Sequence, residues 1–283
     1  MRVINDIEEM FWIARGLRRE DKTIGFVPTM GALHEGHLTL IRQARKENDI
    51  VAVSIFVNPI QFGIGEDFRR YHRTIKKDFG FCRKESVDFV FLPKAKEMYQ
   101  EGFKTYAVVE ELSDVLCGKS RPGHFEGVAT VVLKLFNILQ PSTAYFGAKD
   151  AQQAVIIKRM VEDLNIPVRI KVMPVVREKD GLALSSRNLY LNKEERVDAL
   201  ILSQALSAAR NLISAGTKDA DKILCLMKRL IKTKKTAKID YIAIVEADTL
   251  KSVKRVTNNC LIALAVWIGR TRLIDNMVIQ NRR

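Results

Sequence analysis

The sequence predicts an α/β fold carried by a parallel sheet, followed by a smaller α+β domain, and three observations lead there. Continuous apolar runs at 23–27, 49–57, 87–93 and 168–176 alternate with stretches whose apolar residues recur every three or four positions. Polar turns, most carrying glycine, follow the carboxyl ends of several of these runs, where an open parallel sheet collects its ligands. From Lys193 onward the alternation gives way to two helical stretches and then three strand-like runs.

Residues 5–20 place Ile7, Met10, Phe11, Ala14 and Leu17 on one helical face, with acids early and arginines late as a helix dipole prefers. The run 23–27 then reads as a buried strand, 36–46 as a helix and 49–57 as a second strand. A strand-helix-strand unit of this length implies parallel pairing with a right-handed crossover. Residues 68–84 are helical in pattern and 87–93 strand-like; a polar loop at 119–127 precedes a long apolar helix at 128–139. A short strand at 144–147 leads through glycine into another helix, and 168–176 is a further strand. Helices at 193–214 and 219–234 and strands at 238–245, 261–267 and 273–279 complete the chain. The expected boundary divides residues 1–187 from residues 188–283.

Between the first strand and its helix stands Pro28-Thr29-Met30-Gly31-Ala32-Leu33-His34-Glu35-Gly36-His37. Unpaired N–H groups at a helix start, with about half a positive charge from the dipole, favour an anion there. His34 and His37 add side-chain donors able to follow charge along a polyphosphate. The same spacing also suits half of a metal site or two solvated histidines. His72 and His124 lie far away among arginines, so a zinc set is poorly supported.

The second turn, Asn58-Pro59-Ile60-Gln61, offers amides that suit a hydroxyl and a carboxylate on one small molecule, and equally fits plain turn chemistry around proline. In the loop at 119–127, Arg121 and His124 are candidates for contact with an anionic ligand. Gly147-Ala148-Lys149-Asp150 and Gln153 form a third group: Lys149 for phosphate, Asp150 for ribose hydroxyls, Gln153 one turn into the helix. Ser185, Ser186 and Arg187 supply two hydroxyls and a guanidinium fork. Because Asn192 and Glu195 can cap the following helix, these three are expected to be free for a ligand.

The chain of 283 residues has room for about two domains by the usual length prior. Its 47% apolar and 28% charged residues are ordinary globular material, and no apolar run reaches the roughly 18 residues of a membrane span. The N-terminus has no apolar signal-like core, so the expected location is the cytoplasm, without membrane attachment. Cys82, Cys117, Cys225 and Cys260 are widely spaced, as reduced thiols are. Of the net charge of +14, residues 216–283 carry +9. No helix-turn-helix, zinc-finger or stacking-aromatic pattern accompanies those lysines; solvated helix faces or a general attraction for anionic substrates account for them, and no nucleic-acid partner is expected.

In combination, PTMGALHEGH at 28–37, FVNPIQF at 56–62, RPGHFEGV at 121–128, FGAKDAQQ at 146–153 and KDGLALSSRN at 179–188 resemble the pantothenate synthetase (pantoate-beta-alanine ligase) family along essentially the whole chain. The HxGH element alone indicates only the wider nucleotidylyltransferase superfamily, in which another member transferring a nucleotide to a small acid or phosphate is the alternative. The resemblance implies a Rossmann-like nucleotidylyltransferase domain with a C-terminal α+β lid, and ATP-dependent condensation of (R)-pantoate with beta-alanine through a pantoyl-adenylate. It assigns ATP binding to Met30, Gly31, Ala32, Leu33, His34, Glu35, Gly36, His37, Gly147, Ala148, Lys149, Asp150, Val176, Leu184, Ser185, Ser186 and Arg187. His37, His34 and Lys149 are the implied catalytic groups, with His37 as proton donor; Gln61, Gln153 and Asn58 are the implied substrate contacts. Mg2+ near the phosphates is implied with Asp78 as its acid, and a cytoplasmic homodimer as the assembly. The family usually reads Tyr-Pro-Arg where this chain has Tyr71-His72-Arg73, so residues 63–73 are expected to be less firmly ordered.

Overall fold

A computed structural model describes residues 1–279. Strands β1 (Arg2–Ile4), β2 (Ile24–Thr29), β3 (Ile50–Ile55), β4 (Phe89–Phe91), β5 (Thr143–Gly147) and β6 (Arg169–Met173) form one sheet, parallel throughout, in the order β1-β4-β3-β2-β5-β6. Its crossovers carry helices α1 (Ile7–Arg19), α2 (Glu35–Glu47), α3 (Ile75–Lys84), the short α4 (Ala95–Met98) and α5 (Cys117–Ser120), α6 (His124–Leu139) and α7 (Ala151–Asp163). The rest of the chain forms α8 (Lys193–Asp198), α9 (Ile201–Ser214), α10 (Ala220–Ile231) and an antiparallel sheet of β7 (Ala237–Glu246), β8 (Cys260–Ile268) and β9 (Thr271–Ile279). Among the described residues no helix is long and apolar enough to cross a membrane.

Local chemistry explains the elements that matter most for position. Asp6 caps α1 by accepting from the Glu9 amide at 2.7 Å, and Met10 and Ala14 turn into the core. In the centre of the sheet β2 pairs with β3 over its whole length but with β5 only through Gly25 and Phe26. The Ile24 carbonyl faces β5 and the Thr29 carbonyl faces β3, so by alternation position 28 faces β5. Pro28 has no N–H to offer there, and the two strands part beyond it. The chain reverses direction across the sheet at this same place, β3 lying to one side of β2 and β5 to the other, which opens a crevice at their carboxyl ends.

Several boundaries differ from the sequence expectation. The helix expected over 68–84 starts at Ile75; before it, Asp67–Arg69 makes a single 3-10 turn, Tyr71 is buried beside Phe62, and Arg73 donates to the Phe68 and Tyr71 carbonyls. A side chain there does the work of helix bonds. Conversely α6 begins at His124, so the polar loop before it is shorter than expected. The helix at 193–214 is divided between α8 and α9, with the expected Asn192–Glu195 capping box at its start. β1 has three residues, too few for a period to show in sequence.

The small sheet is packed on both faces. Ile244, Ile262, Leu264 and Val266 meet α9 and α10, whereas Val245, Leu261 and Ala263 join the same apolar cluster as Phe26, Phe136 and Ile157 of the large sheet and its helices. Hence β8 reads as an unbroken apolar run. On β9, Asn276 donates to the carbonyls of Ala148 and Lys149, both at 2.8 Å, and Asp275 is paired with Arg177.

Candidate active site

Four turns converge on the crevice beside Pro28. Met30, His34 and His37 come from the turn after β2, Asn58 and Gln61 from the turn after β3, Gly147, Lys149, Asp150 and Gln153 from the turn and helix after β5, and Val176 with residues 184–187 from the segment beyond β6. They line a pocket of about 240 Å³ that opens into a cleft of about 1300 Å³ between the two sheets; Phe62, Arg121, His124, Lys149, Gln153 and Arg187 border both. Gly31, Ala32, Leu33, Glu35 and Ala148 do not reach the lining of either.

The turn after β2 is held from behind. Gly31 and Ala32 both have left-handed backbones, φ +82° and +50°, and for Ala32 that conformation costs about 1 kcal/mol. Asp78, fully buried on α3, offsets it: its carboxylate accepts from the Ala32 amide at 3.1 Å, the Leu33 amide at 2.9 Å and the Thr74 hydroxyl at 3.1 Å. This corrects the expectation that Asp78 serves a metal. Its oxygens are engaged by the turn, and Asp78 lines neither the pocket nor the cleft.

His34 and His37 lie ring against ring, centroids 4.1 Å apart. The arrangement requires Gly36, because a Cβ there would stand 2.9 Å from Cε1 of His34. Nδ1 of His37 accepts from the His34 amide at 3.3 Å, so the neutral ring carries its proton on Nε2. Burial, then the neighbouring His34 and Lys149, pushes the His37 pKa down to about 3; burial and Lys149 take His34 to about 4. Both are neutral donors at physiological pH, and Nδ1 of His34 is buried without a partner. Lys149 is half-buried, and desolvation lowers its pKa; it belongs to no ion pair among the described residues. A lysine without an ion pair among the described residues, beside two neutral imidazoles, is a combination whose chemistry suits an anion.

The other cations are occupied by the protein itself. Arg187 makes a bidentate pair with Asp67, and Arg121 makes one with Glu66 at 2.7 and 2.5 Å. Ser185 accepts from the Arg187 amide as a cap, and the Ser186 hydroxyl lies 3.4 Å from that of Tyr71. The expectation that residues 185–187 are free is therefore corrected: the helix cap is filled by Asn192, but local and cross-cleft partners still engage all three. Residues 63–73 are fastened by the same contacts, and by His72 stacked on Tyr190 at 4.9 Å with the Tyr190 hydroxyl on the Arg70 carbonyl.

Asn58 borders the pocket but is 1% exposed, and its amide is bonded within the protein to Gly127, Gln61 and Tyr99. Gln61 and Gln153 do face the pocket. His124 holds the Gln61 backbone: a carbonyl can only accept and a guanidinium can only donate, so its Nδ1–H goes to the Gln61 oxygen at 2.8 Å and its bare Nε2 accepts from Arg121 at 3.0 Å. Burial and Arg121 hold this ring neutral, with a pKa of about 3. Sequence reasoning missed Tyr99, Asn276 and the loop acids Glu66 and Asp67; each acts across more than 40 residues of chain, and nothing local marks them.

Comparison with known proteins bears directly on this arrangement. The family profile described as Pantoate-beta-alanine ligase matches residues 2–278. The chain is 54% identical to the pantothenate synthetase of Caldicellulosiruptor bescii over 280 residues, 99% of each chain, and 54% identical to that of Heliobacterium modesticaldum over 99% of this chain and all of the other. A crystal structure of pantothenate synthetase from Thermus thermophilus superposes with a TM-score of 0.94 at 43% identity, covering 99% and 100% of the two chains. The pantoate-beta-alanine ligase of Francisella tularensis, solved with beta-gamma ATP and beta-alanine, gives a TM-score of 0.80 at 36% identity over 98% and 97%.

Proposed function

The chain belongs to the pantoate-beta-alanine ligase family, and on that premise we propose that it condenses (R)-pantoate with beta-alanine using ATP. Pantoate carboxylate attacks the α-phosphorus to give pantoyl-adenylate and pyrophosphate; the beta-alanine amine then displaces AMP. The observation that carries this reading is the joining of two volumes. A pocket of about 240 Å³ with amide donors suits a small hydroxy acid, and it opens beside Lys149 into a cleft large enough for a nucleotide.

In this reading Gln61 and Gln153 hold pantoate, and His34, His37 and Lys149 receive the phosphates. His37 donates its Nε2 hydrogen bond as charge moves onto the departing pyrophosphate. Attack at phosphorus needs no side-chain nucleophile, so the protein contributes in-line placement and preorganised charge. Arg187 and Ser185 complete the phosphate surface once Asp67 yields. Magnesium would travel with the triphosphate; Asp78 does not fit as its ligand, and no step is assigned to the ion. The division at 187/188 is proposed to separate the nucleotide-binding unit from the unit that covers it. A cytoplasmic homodimer is proposed on the family resemblance alone.

The test is AMP formation with ATP, pantoate and beta-alanine, each omitted in turn. AMP should require all three, whereas exchange of pyrophosphate into ATP should require pantoate only. A product that retains the nucleotide, or exchange indifferent to pantoate, overturns the proposal.

A further inference from the structure

Gln61 is useful to a small acid only if its amide is turned the right way. An amide presents two donors on one side and an acceptor on the other, so reversing it exchanges attraction for repulsion. The direction is fixed by a chain of bonds that starts at a group with no choice. The Gly127 carbonyl accepts from Nδ2 of Asn58 at 2.9 Å, and a carbonyl cannot donate. This sets the orientation of the Asn58 amide. Its second Nδ2 proton then falls on Oε1 of Gln61 at 3.1 Å, which occupies the acceptor of Gln61 and leaves Nε2 on the pocket side. There Nε2 rests against Sδ of Met30 at 3.2 Å, a weak acceptor that a carboxylate oxygen readily replaces.

The chain has a third member. Tyr99 donates its hydroxyl proton to Oδ1 of Asn58 at 2.7 Å, the shortest bond in the set. Asn58 is thus gripped at both ends, by a pure acceptor at its nitrogen and a donor at its oxygen. The Tyr99 ring is held separately: it packs on Phe56 and Phe103, centroids 6.3 and 5.1 Å away. Gly127 must lack a side chain, since a Cβ there would lie 2.5 Å from the Ile60 carbonyl oxygen and 2.7 Å from Cα of Gln61. Helix α6 therefore sits directly on the turn that carries Gln61.

We infer that Tyr99, through Asn58, is a positioning residue that commits Gln61 to donating into the pocket, so that the ligand atom it meets must be an acceptor. The inference rests on the reading of Gln61 as a pantoate contact. Tyr99 touches no ligand; it acts on the amide that does. Hydroxyl loss in Tyr99→Phe keeps the ring and its packing but removes one of the two restraints on the Asn58 amide; with only the Gly127 carbonyl left to set it, reversed amides of Asn58 and then Gln61 gain population.

Two measurements test this on Tyr99→Phe. In steady-state kinetics the KM for pantoate should rise about five- to tenfold, the scale of one buried hydrogen bond, while the KM for ATP stays within about twofold. A purely structural hydroxyl would shift both constants or neither, and either result overturns the inference. Independently of any substrate, side-chain amide signals of Asn58 and Gln61 in 15N-labelled protein, assigned by substitution, should both shift and broaden in the variant. Unmoved signals overturn the relay. A wild-type protein without pantoate-dependent AMP formation defeats the functional reading instead, and the amide signals then decide the relay alone.

Discussion

Asp67 and Arg187, 120 residues apart, meet through two bonds of 2.9 Å each at the border of the pocket and the cleft. Glu66 and Arg121 repeat the arrangement one residue earlier. Two consecutive carboxylates of the chain thus hold the two arginines that border both the pocket and the cleft. Removing the charge in Asp67→Asn should free Arg187 and tighten pyrophosphate binding about three- to tenfold by calorimetry. Weaker or unchanged binding would show that the carboxylate positions the arginine rather than competing for it.

His37→Ala should slow pantoate-dependent pyrophosphate exchange about 10²–10³-fold, the usual cost of one preorganised donor, with the urea midpoint nearly unchanged. The neutral state of both rings is separately measurable. Their Cε1–H resonances should stay at neutral-imidazole positions from pH 8 to pH 5, because burial holds His34 near 4 and His37 near 3. A titration midpoint near 6.5 in either would remove the proposed donor chemistry.

Asp78→Asn exchanges one accepting oxygen for a donor that faces backbone N–H groups. The variant should lose roughly 1–3 kcal/mol of stability in chemical denaturation, the cost of an unsatisfied buried amide. Its magnesium dependence should match the wild type. A selective rise in the magnesium requirement would restore the role that the family resemblance implies for this residue.

Acid should destabilise the protein through its neutral histidines. In the unfolded chain each titrates near 6.5, whereas His34, His37 and His124 are held at about 4, 3 and 3 when folded. Their stability contribution is whole above pH 6.5 and is lost as pH falls from there toward 3–4, since the unfolded state takes up protons that the folded state refuses. At pH 5 the loss is roughly 2 kcal/mol for each ring. His124→Asn, which keeps a donor for the Gln61 carbonyl, should flatten the fall between pH 7 and pH 5 by about that amount in urea titrations.

The turns were legible in the sequence because their chemistry is local. Glycine and two histidines within four residues of a helix start, or a lysine after a strand and a glycine, signal what the backbone is doing there. Strands β2 and β3 were legible because both faces are buried, which leaves an unbroken apolar run. The bonds of Asp78 were not legible: an acid in the first turn of a helix looks the same in sequence whether it faces an ion or two amides. Pairings such as Asp67 with Arg187, or Tyr99 with Asn58, depend on which surfaces folding brings together. A single chain of letters holds no separate mark for that, nor for the strand order that sets β5 against β2.

The bond from Asn276 to the carbonyls of Ala148 and Lys149 makes the turn behind Lys149 a joint possession of both sheets. Severed after residue 187, the first part would keep every histidine of the motif yet leave the Ala148 and Lys149 carbonyls to water and uncover Phe26's cluster where Leu261 and Ala263 had lain. Residues 1–187 are for this reason not a transplantable module, and fusions or truncations that treat them as one should yield chains that are sticky before they are inactive.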